Sequence, residues 1–363
     1  MIRRAQGLIL VALLALGCAP SLPRPYQAAR AAAERSYAHG RYAEAARHWE
    51  HAATTTERRR DIVESHYRAA VAHARAGNRQ AALGHYRWIL ESYPKSSRAA
   101  RAAFNRAELH IAQGEEDEGY QELDAAIQKY PDSGLAAGAL SRVVRRIEER
   151  EGAEAAGAYL HERCQSLDAS KLAERLHYTL ARHFEARGQF RAARDRYLYV
   201  AKRFPYPHGA LWDDALFRAS EMEEKLRRPR AAIAHLQEML AEREPSHLQG
   251  SYQRPRFAAA QYRIATLYRD ALGDPARAQR EFVRVWAEHT TSILRDDALW
   301  QAAKLAHSAS DDSKACDLLQ TLKSDFPESR FVPCSQHLCP SLKPASNARC
   351  RGYLLRELRS PTP

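Results

Sequence analysis

"GHYRWILESYPKSSRAARAAF", residues 84–104, begins and ends as an amphipathic, alanine-rich helix and breaks in the middle. The break is an aromatic–proline pair followed by small polar residues. Proline lacks an amide hydrogen and disfavours helix in the residue before it, so one helix must stop near Tyr93 and a second start beyond Ser97. The same interruption recurs as "KYPDSG" (129–134), "RFPYPHG" (203–209) and "DFPESR" (325–330). Pro94 and Pro131 are 37 residues apart, and Pro205 lies 74 further on, two more such steps. Regular spacing of this kind marks a repeated unit.

Other anchors keep the same frame. A glycine is followed five residues later by a small residue, and four after that by a large one: Gly40, Ala45, Trp49; Gly77, Ala82, Tyr86; Gly114, Gly119, Leu123; Gly188, Ala193, Tyr197; Gly273, Ala278, Phe282. Degenerate copies centre on Ala232 with Leu236 and on Ala315 with Leu319, and the weakest on Gly152 and Gly157. Each anchor has a physical role. The glycine ends a first helix in a left-handed cap. The small residue lets a second helix approach closely, and the large one fills the space beside it. The serines of "YPKSS" and "YPDSG" are expected to cap the next helix. The expected unit is therefore a helical hairpin, and the break at Tyr93-Pro94 is the junction between two of them.

This pattern resembles the tetratricopeptide repeat (TPR) over roughly residues 26–330. The resemblance implies an all-α, right-handed TPR-like α-solenoid of about eight helix-turn-helix units. The period near 37 and the aromatic-Pro-x-Ser junction are similar to those of BamD-type and Tol-Pal-associated outer-membrane lipoproteins.

The amino terminus agrees with that resemblance. "MIRRAQGLILVALLALGC" carries Arg3 and Arg4, an uncharged run from Gly7 to Gly17, then Cys18. Such a run is shorter than the roughly 20 residues a bilayer-spanning helix needs and reads as the core of a secretory signal peptide. Ala15-Leu16-Gly17-Cys18 is similar to a lipobox, which implies cleavage after Gly17 and acylation of Cys18. Ala19 after the cysteine implies an outer-membrane address facing the periplasm. The expected organisation is a signal peptide (1–17), a Pro-rich tether (18–25), repeat units one to six (26–241), an inserted loop (242–255), units seven and eight (256–330) and a Cys-rich tail (331–363).

The chain carries a formal charge of +12, which favours anionic neighbours. The clusters "RRR" (58–60) and "RRPR" (227–230) read as solvated helix faces, and "EEDE" (115–118) as the acidic start of a second helix. No metalloprotease, phosphate-loop or nucleophile-elbow motif is present. No catalytic, cofactor or metal site is therefore expected, and the sixteen histidines read as scattered surface residues. Cys164 reads as a core thiol. Cys316, Cys334, Cys339 and Cys350 lie within the last 48 residues, and in an exported chain they suit two disulfides with three possible connectivities.

The expected function is non-enzymatic: a lipid-anchored periplasmic scaffold for envelope proteins or peptides, touching the membrane through its anchor, with peptidoglycan a further partner and nucleic acid excluded by export. The resemblance implies outer-membrane protein assembly or Tol-Pal and peptidoglycan coordination. The alternative is a helical accessory of peptidoglycan processing, related to the superhelical domain of lytic transglycosylases. Ten residues before each first-helix glycine, or its equivalent, stand Tyr67, Phe104, Tyr178, Phe217 and Trp300, with Arg30, Arg142 and Arg263 in other units. In related repeats this position lines a partner groove. The competing expectation is that the rings are core, packed against a neighbouring hairpin.

Overall fold

The computed structural model describes residues 22–242, 256–342 and 349–359. The expected signal peptide, Cys18, the first half of the expected tether and residues 243–255 of the insertion lie outside them. All regular structure among the described residues is helical, and no helix there is long and apolar enough to cross a membrane.

The chain divides into two compact units. Unit one contains α1 (Arg24–Ala38), α2 (Tyr42–Thr54), α3 (Arg59–Arg75), α4 (Arg79–Ser92), α5 (Ala99–Ile111), α6 (Glu116–Lys129) and α7 (Ala136–Glu151). The chain passes to unit two inside α8 (Ala153–Ser166), between Tyr159 and Leu160, and Leu167–Leu172 belong again to unit one. Unit two continues with α9 (Ala173–Ala186), α10 (Phe190–Arg203), α11 (Trp212–Lys225), α12 (Pro229–Ala241), α13 (Arg256–Asp270), α14 (Pro275–Glu288), α15 (Arg295–Ser308) and α16 (Asp312–Asp325). A 3₁₀ turn (Val332–His337) and α17 (Gly352–Arg359) close the described chain. Consecutive helices pack as hairpins: α1 with α2, α3 with α4, α5 with α6, α9 with α10, α11 with α12, α13 with α14, and α15 with α16.

The anchors act as the physics requires. Gly40, Gly77, Gly114, Gly152, Gly188 and Gly273 all adopt positive φ. In the two degenerate units the same place is held by Arg227 (φ 60°) and Ser310 (φ 61°). There the next amide still reaches back five residues, Arg228 to Glu223 O and Asp311 to Ala306 O, as Asn78 does to His73 O. The hairpin turn is thus kept where the glycine is lost. Helices α4, α6, α10 and α16 each end two residues before Pro94, Pro131, Pro205 and Pro327.

Two expectations need correction. In α8 the buried small and large residues are Ala156 and Leu160, both fully buried, rather than Gly157. One residue, Gly152, separates α7 from α8, so the frame moves one position earlier than a fixed five-residue spacing implies. The junction serines do not cap helices either: neither α5 nor α7 has a side-chain cap. Ser133 Oγ instead accepts from Leu135 N at 3.3 Å, inside the turn.

Gly119 explains its own departure from alanine. A Cβ there would lie 2.5 Å from Ile111 Cγ1 and 2.8 Å from Ile111 N, so α5 and α6 approach too closely for a methyl group.

In unit two one core runs from Tyr178 through Leu236 and Met239 to Phe257 and Leu267, with members on both sides of the insertion. A second joins Leu299, Trp300, Ala303, Leu319 and Leu322 to Phe331, Val332, Leu338 and Leu354 of the tail. The tail therefore covers the apolar face that the last hairpin would otherwise expose. It is stapled by Cys316–Cys339 and Cys334–Cys350, one of the three connectivities. Cys164 is a buried thiol.

Candidate functional site

The five rings singled out in the sequence are buried: Trp300 at 1% exposure, Phe104 at 3%, Tyr178 at 5%, Tyr67 and Phe217 at 8%. Four of them meet the element that follows their hairpin. The Arg98 guanidinium lies 4.7 Å over the Tyr67 ring, and Asn105 Nδ2 donates to the Tyr67 hydroxyl. The Tyr178 hydroxyl donates to Asp214 of α11. Arg256 of α13 covers Phe217 at 5.0 Å, and Trp300 stacks on Phe331 with centroids 5.1 Å apart. The aromatic position is thus the glue between successive units, and the reading of these rings as a partner-lining stripe is corrected accordingly. Burial and the Asp214 carboxylate together raise the Tyr178 phenol above its ordinary range.

The arginines of that position are also engaged within the chain. Arg142 pairs with Glu108 of the preceding first helix and Arg263 with Glu224, while Arg30 pairs with Glu34 one turn along α1. Arg98 and Arg68 both bind Glu64. Burial pushes the Glu64 carboxyl up, and the two guanidiniums outweigh this and hold it below the usual range.

What remains open is a basic concavity in unit one. A cleft of about 640 Å³ is lined by Tyr26 and Arg30 of α1, by Arg58, Arg60, Asp61, Glu64 and Arg68 at the start of α3, and by Ser97, Arg98 and Arg101 at the start of α5. A second depression of about 440 Å³ shares Arg60 and Ser97 and adds Arg59, Tyr93, Pro94, Lys95 and Ser96. The fold thereby gathers "RRR" at 58–60, which the sequence suggested was a solvated helix face, and "KSSR" at 95–98, whose serines the sequence suggested were caps. Among the described residues Arg59, Arg60, Lys95 and Arg101 are without a carboxylate partner.

These cations stand where a helix opposes them. The first turn of an α-helix is the positive end of its dipole, and each cation there costs about 0.3–1 kcal/mol at an exposed site. Three helices follow the rule closely: α6 opens with Glu116, Asp117 and Glu118, α11 with Asp213 and Asp214, α15 with Asp296 and Asp297. By contrast α3 opens with Arg59 and Arg60 beside one aspartate, and α5 has no acid in its first turn. What distinguishes this place is that the unpaired cations of two helix starts line adjoining depressions.

Unit two offers a comparison. Its depression of about 490 Å³ brings Arg218, Lys225, Arg227 and Arg263 against Glu185, Glu221 and Glu224. Arg218 binds Glu185 and Glu221, and Arg263 binds Glu224, so that surface is largely neutralised internally.

A separate cluster lies among α2, α3 and α4. The Glu50 carboxylate receives both His73 Nε2, at 2.8 Å, and His85 Nε2, at 3.1 Å. A second trio, His110, Glu115 and Glu118, is already claimed by Arg79, which pairs with Glu115.

The tetratricopeptide repeat family model matches residues 64–96, 101–133 and 297–329. The chain carries tetratricopeptide repeats and has the fold that they build. Among solved structures, a tetratricopeptide repeat protein from Parabacteroides merdae ATCC 43184 is similar over 77% of this chain and 99% of its own, at 15% identity and a TM-score of 0.33. YrrB, a TPR protein with an unusual peptide-binding site, is similar over 59% and 96%, at 14% identity and a TM-score of 0.36. The pilF protein of Pseudomonas aeruginosa is similar over 64% and 94%, at 15% identity and a TM-score of 0.38. No curated protein matches the chain.

Proposed function

We propose that this protein is a non-enzymatic, lipid-anchored periplasmic scaffold that holds an acidic segment of an envelope protein in the basic concavity of unit one. The observation that carries the reading is the placing of unpaired cations on two adjoining helix N-termini. Carboxylates there are attracted by the guanidiniums and by the free backbone amides of α3 and α5 together. Outer-membrane protein assembly and Tol-Pal or peptidoglycan coordination are the envelope roles that the sequence resemblance favours. The two disulfides of the tail suit an oxidising compartment and so support export.

Anisotropy with a labelled Asp/Glu-rich decapeptide and its neutral Asn/Gln counterpart tests the site. The acidic peptide should bind with a strong salt dependence, and Arg59→Glu/Arg60→Glu/Arg101→Glu should weaken it at least tenfold without lowering the melting temperature. Equal binding of the neutral peptide, or an unaffected triple variant, would sink the proposal. So would a chain that ignores the peptide and instead binds anionic vesicles through the same arginines.

The anchor is tested independently. Labelled palmitate should enter the wild-type chain and not Cys18→Ser; a labelled mutant, or a wild-type chain that washes off membranes, refutes lipidation.

A further inference from the structure

We infer that Glu50, His73 and His85 form a binding site for a divalent transition metal of the zinc class. The three residues come from α2, α3 and α4, and their ligand atoms all lie within 4.8 Å of one another. Glu50 adjoins Trp49 and His85 adjoins Tyr86, the buried large residues of their helices, so hairpin packing sets both backbones. The His73 and His85 rings lie 5.6 Å apart at 14°, and both Nε2 atoms reach the same oxygen, Glu50 Oε1. Two imidazoles and one carboxylate are a borderline donor set suited to zinc and its neighbours rather than to magnesium or calcium.

The outer nitrogens supply an independent observation. A metal-bound histidine nearly always has its other ring nitrogen held by a hydrogen bond. Here His85 Nδ1 lies 2.9 Å from His66 Nδ1, and His73 Nδ1 lies 3.4 Å from the Asn78 side-chain amide. His66 is itself fixed by stacking on Trp88, with centroids 3.8 Å apart. Without metal, both Nε2–H groups donate to Glu50, while His66 and Asn78 donate to the Nδ1 atoms. With metal, each ligating ring changes tautomer. The Nε2 lone pairs then face the ion, and each Nδ1–H donates outward, to His66 Nδ1 or to the Asn78 carbonyl oxygen. Every imidazole remains neutral, and no ring has to leave its place.

Tetrahedral ligation with bonds of about 2.0–2.1 Å sets ligand atoms roughly 3.3 Å apart; here the two histidine–carboxylate separations are 2.8 and 3.1 Å, and all three ligand atoms lie within 4.8 Å of one another. The Glu50 side chain, 41% exposed, is the one that can swing to accommodate the ion. The histidines are 9% and 16% exposed, so the fourth position opens on the Glu50 side, toward water or a donor from a partner. The bound ion would tie the second helix of the first hairpin to both helices of the next.

The test uses the full chain, stripped with chelator and kept oxidised, titrated with Co²⁺ as a spectroscopic probe and with Zn²⁺ by calorimetry. One ion per chain should bind, and Co²⁺ should show the visible bands of a low-coordinate site. Glu50→Gln and His85→Phe should each lose at least tenfold in affinity. His66→Phe, which keeps the stack on Trp88, should lose roughly 10–100-fold. His307→Ala, a histidine of unit two, should bind as wild type. Absence of Co²⁺ bands at millimolar metal overturns the site, as does Glu50→Gln affinity equal to wild type. Glu50→Gln alters an exposed side chain, so its result does not depend on refolding of the core.

Discussion

Replacing Trp300 by alanine should cost about 3–5 kcal/mol of the stability of the C-terminal hairpin, the range for removing a large buried aromatic. The ring is 1% exposed and stacks on Phe331 at an interplanar angle of 15°. It sits where α15, α16 and the tail meet, so its loss opens a cavity bounded by three elements that the remaining side chains cannot jointly refill. Because repeat arrays are stabilised by neighbour contacts, the effect should concentrate in α15, α16 and the tail. Hydrogen exchange should find those amides deprotected while α3 and α4 keep wild-type rates. Tyr353→Ala, at a ring 43% exposed, serves as the control and should melt near wild type. A Trp300→Ala chain with wild-type melting and protection would restore the ring as a partner contact and contradict its role in the core.

Opening the two disulfides should have a comparable effect. Their sequence separations are 23 and 16 residues, and the chain-entropy model gives about 3 kcal/mol for each loop of this size. Cys334→Ser/Cys350→Ser should release α17 first. That helix is held by the buried Leu354 and by the ion pair of Lys304 with Glu357, in addition to the bond. Limited proteolysis should then cut after the 3₁₀ turn at least tenfold faster, with unit one intact. Non-reducing peptide mapping of the wild type should yield linked peptides joining Cys316 to Cys339 and Cys334 to Cys350. A different pairing, or four free thiols in protein isolated without reductant, would refute the stapled cap.

The two substitutions act on one apolar cluster by different means. Trp300→Ala removes contacts from the folded state, whereas the serine pair chiefly enlarges the unfolded ensemble. Combining them should therefore give a sum smaller than the parts if the tail is already detached in either single change.

The sequence alone was sufficient for features set by local backbone chemistry. Proline ends α4, α6, α10 and α16 because of its missing amide, and glycine closes the hairpin turns because positive φ suits it. The small and large positions of α2, α4, α6 and α10 follow from helical geometry within one hairpin. All of these act across a few residues or one period, so a one-dimensional pattern records them. The α8 register escaped because a helix that starts one residue sooner after its glycine leaves no mark in composition. Stacking of one hairpin on the next is what the pattern does not contain. That stacking turned Tyr67, Tyr178, Phe217 and Trp300 into contacts between successive elements, and it paired Arg142 and Arg263 with acids about one period upstream. It joined the arginines at 58–60 to Lys95 and Arg98, chose one disulfide connectivity from three, and set Glu50, His73 and His85 around a common point. Each of these depends on the rotation and offset between neighbouring hairpins, which are fixed by the summed packing of many buried side chains and by no single residue of the repeat.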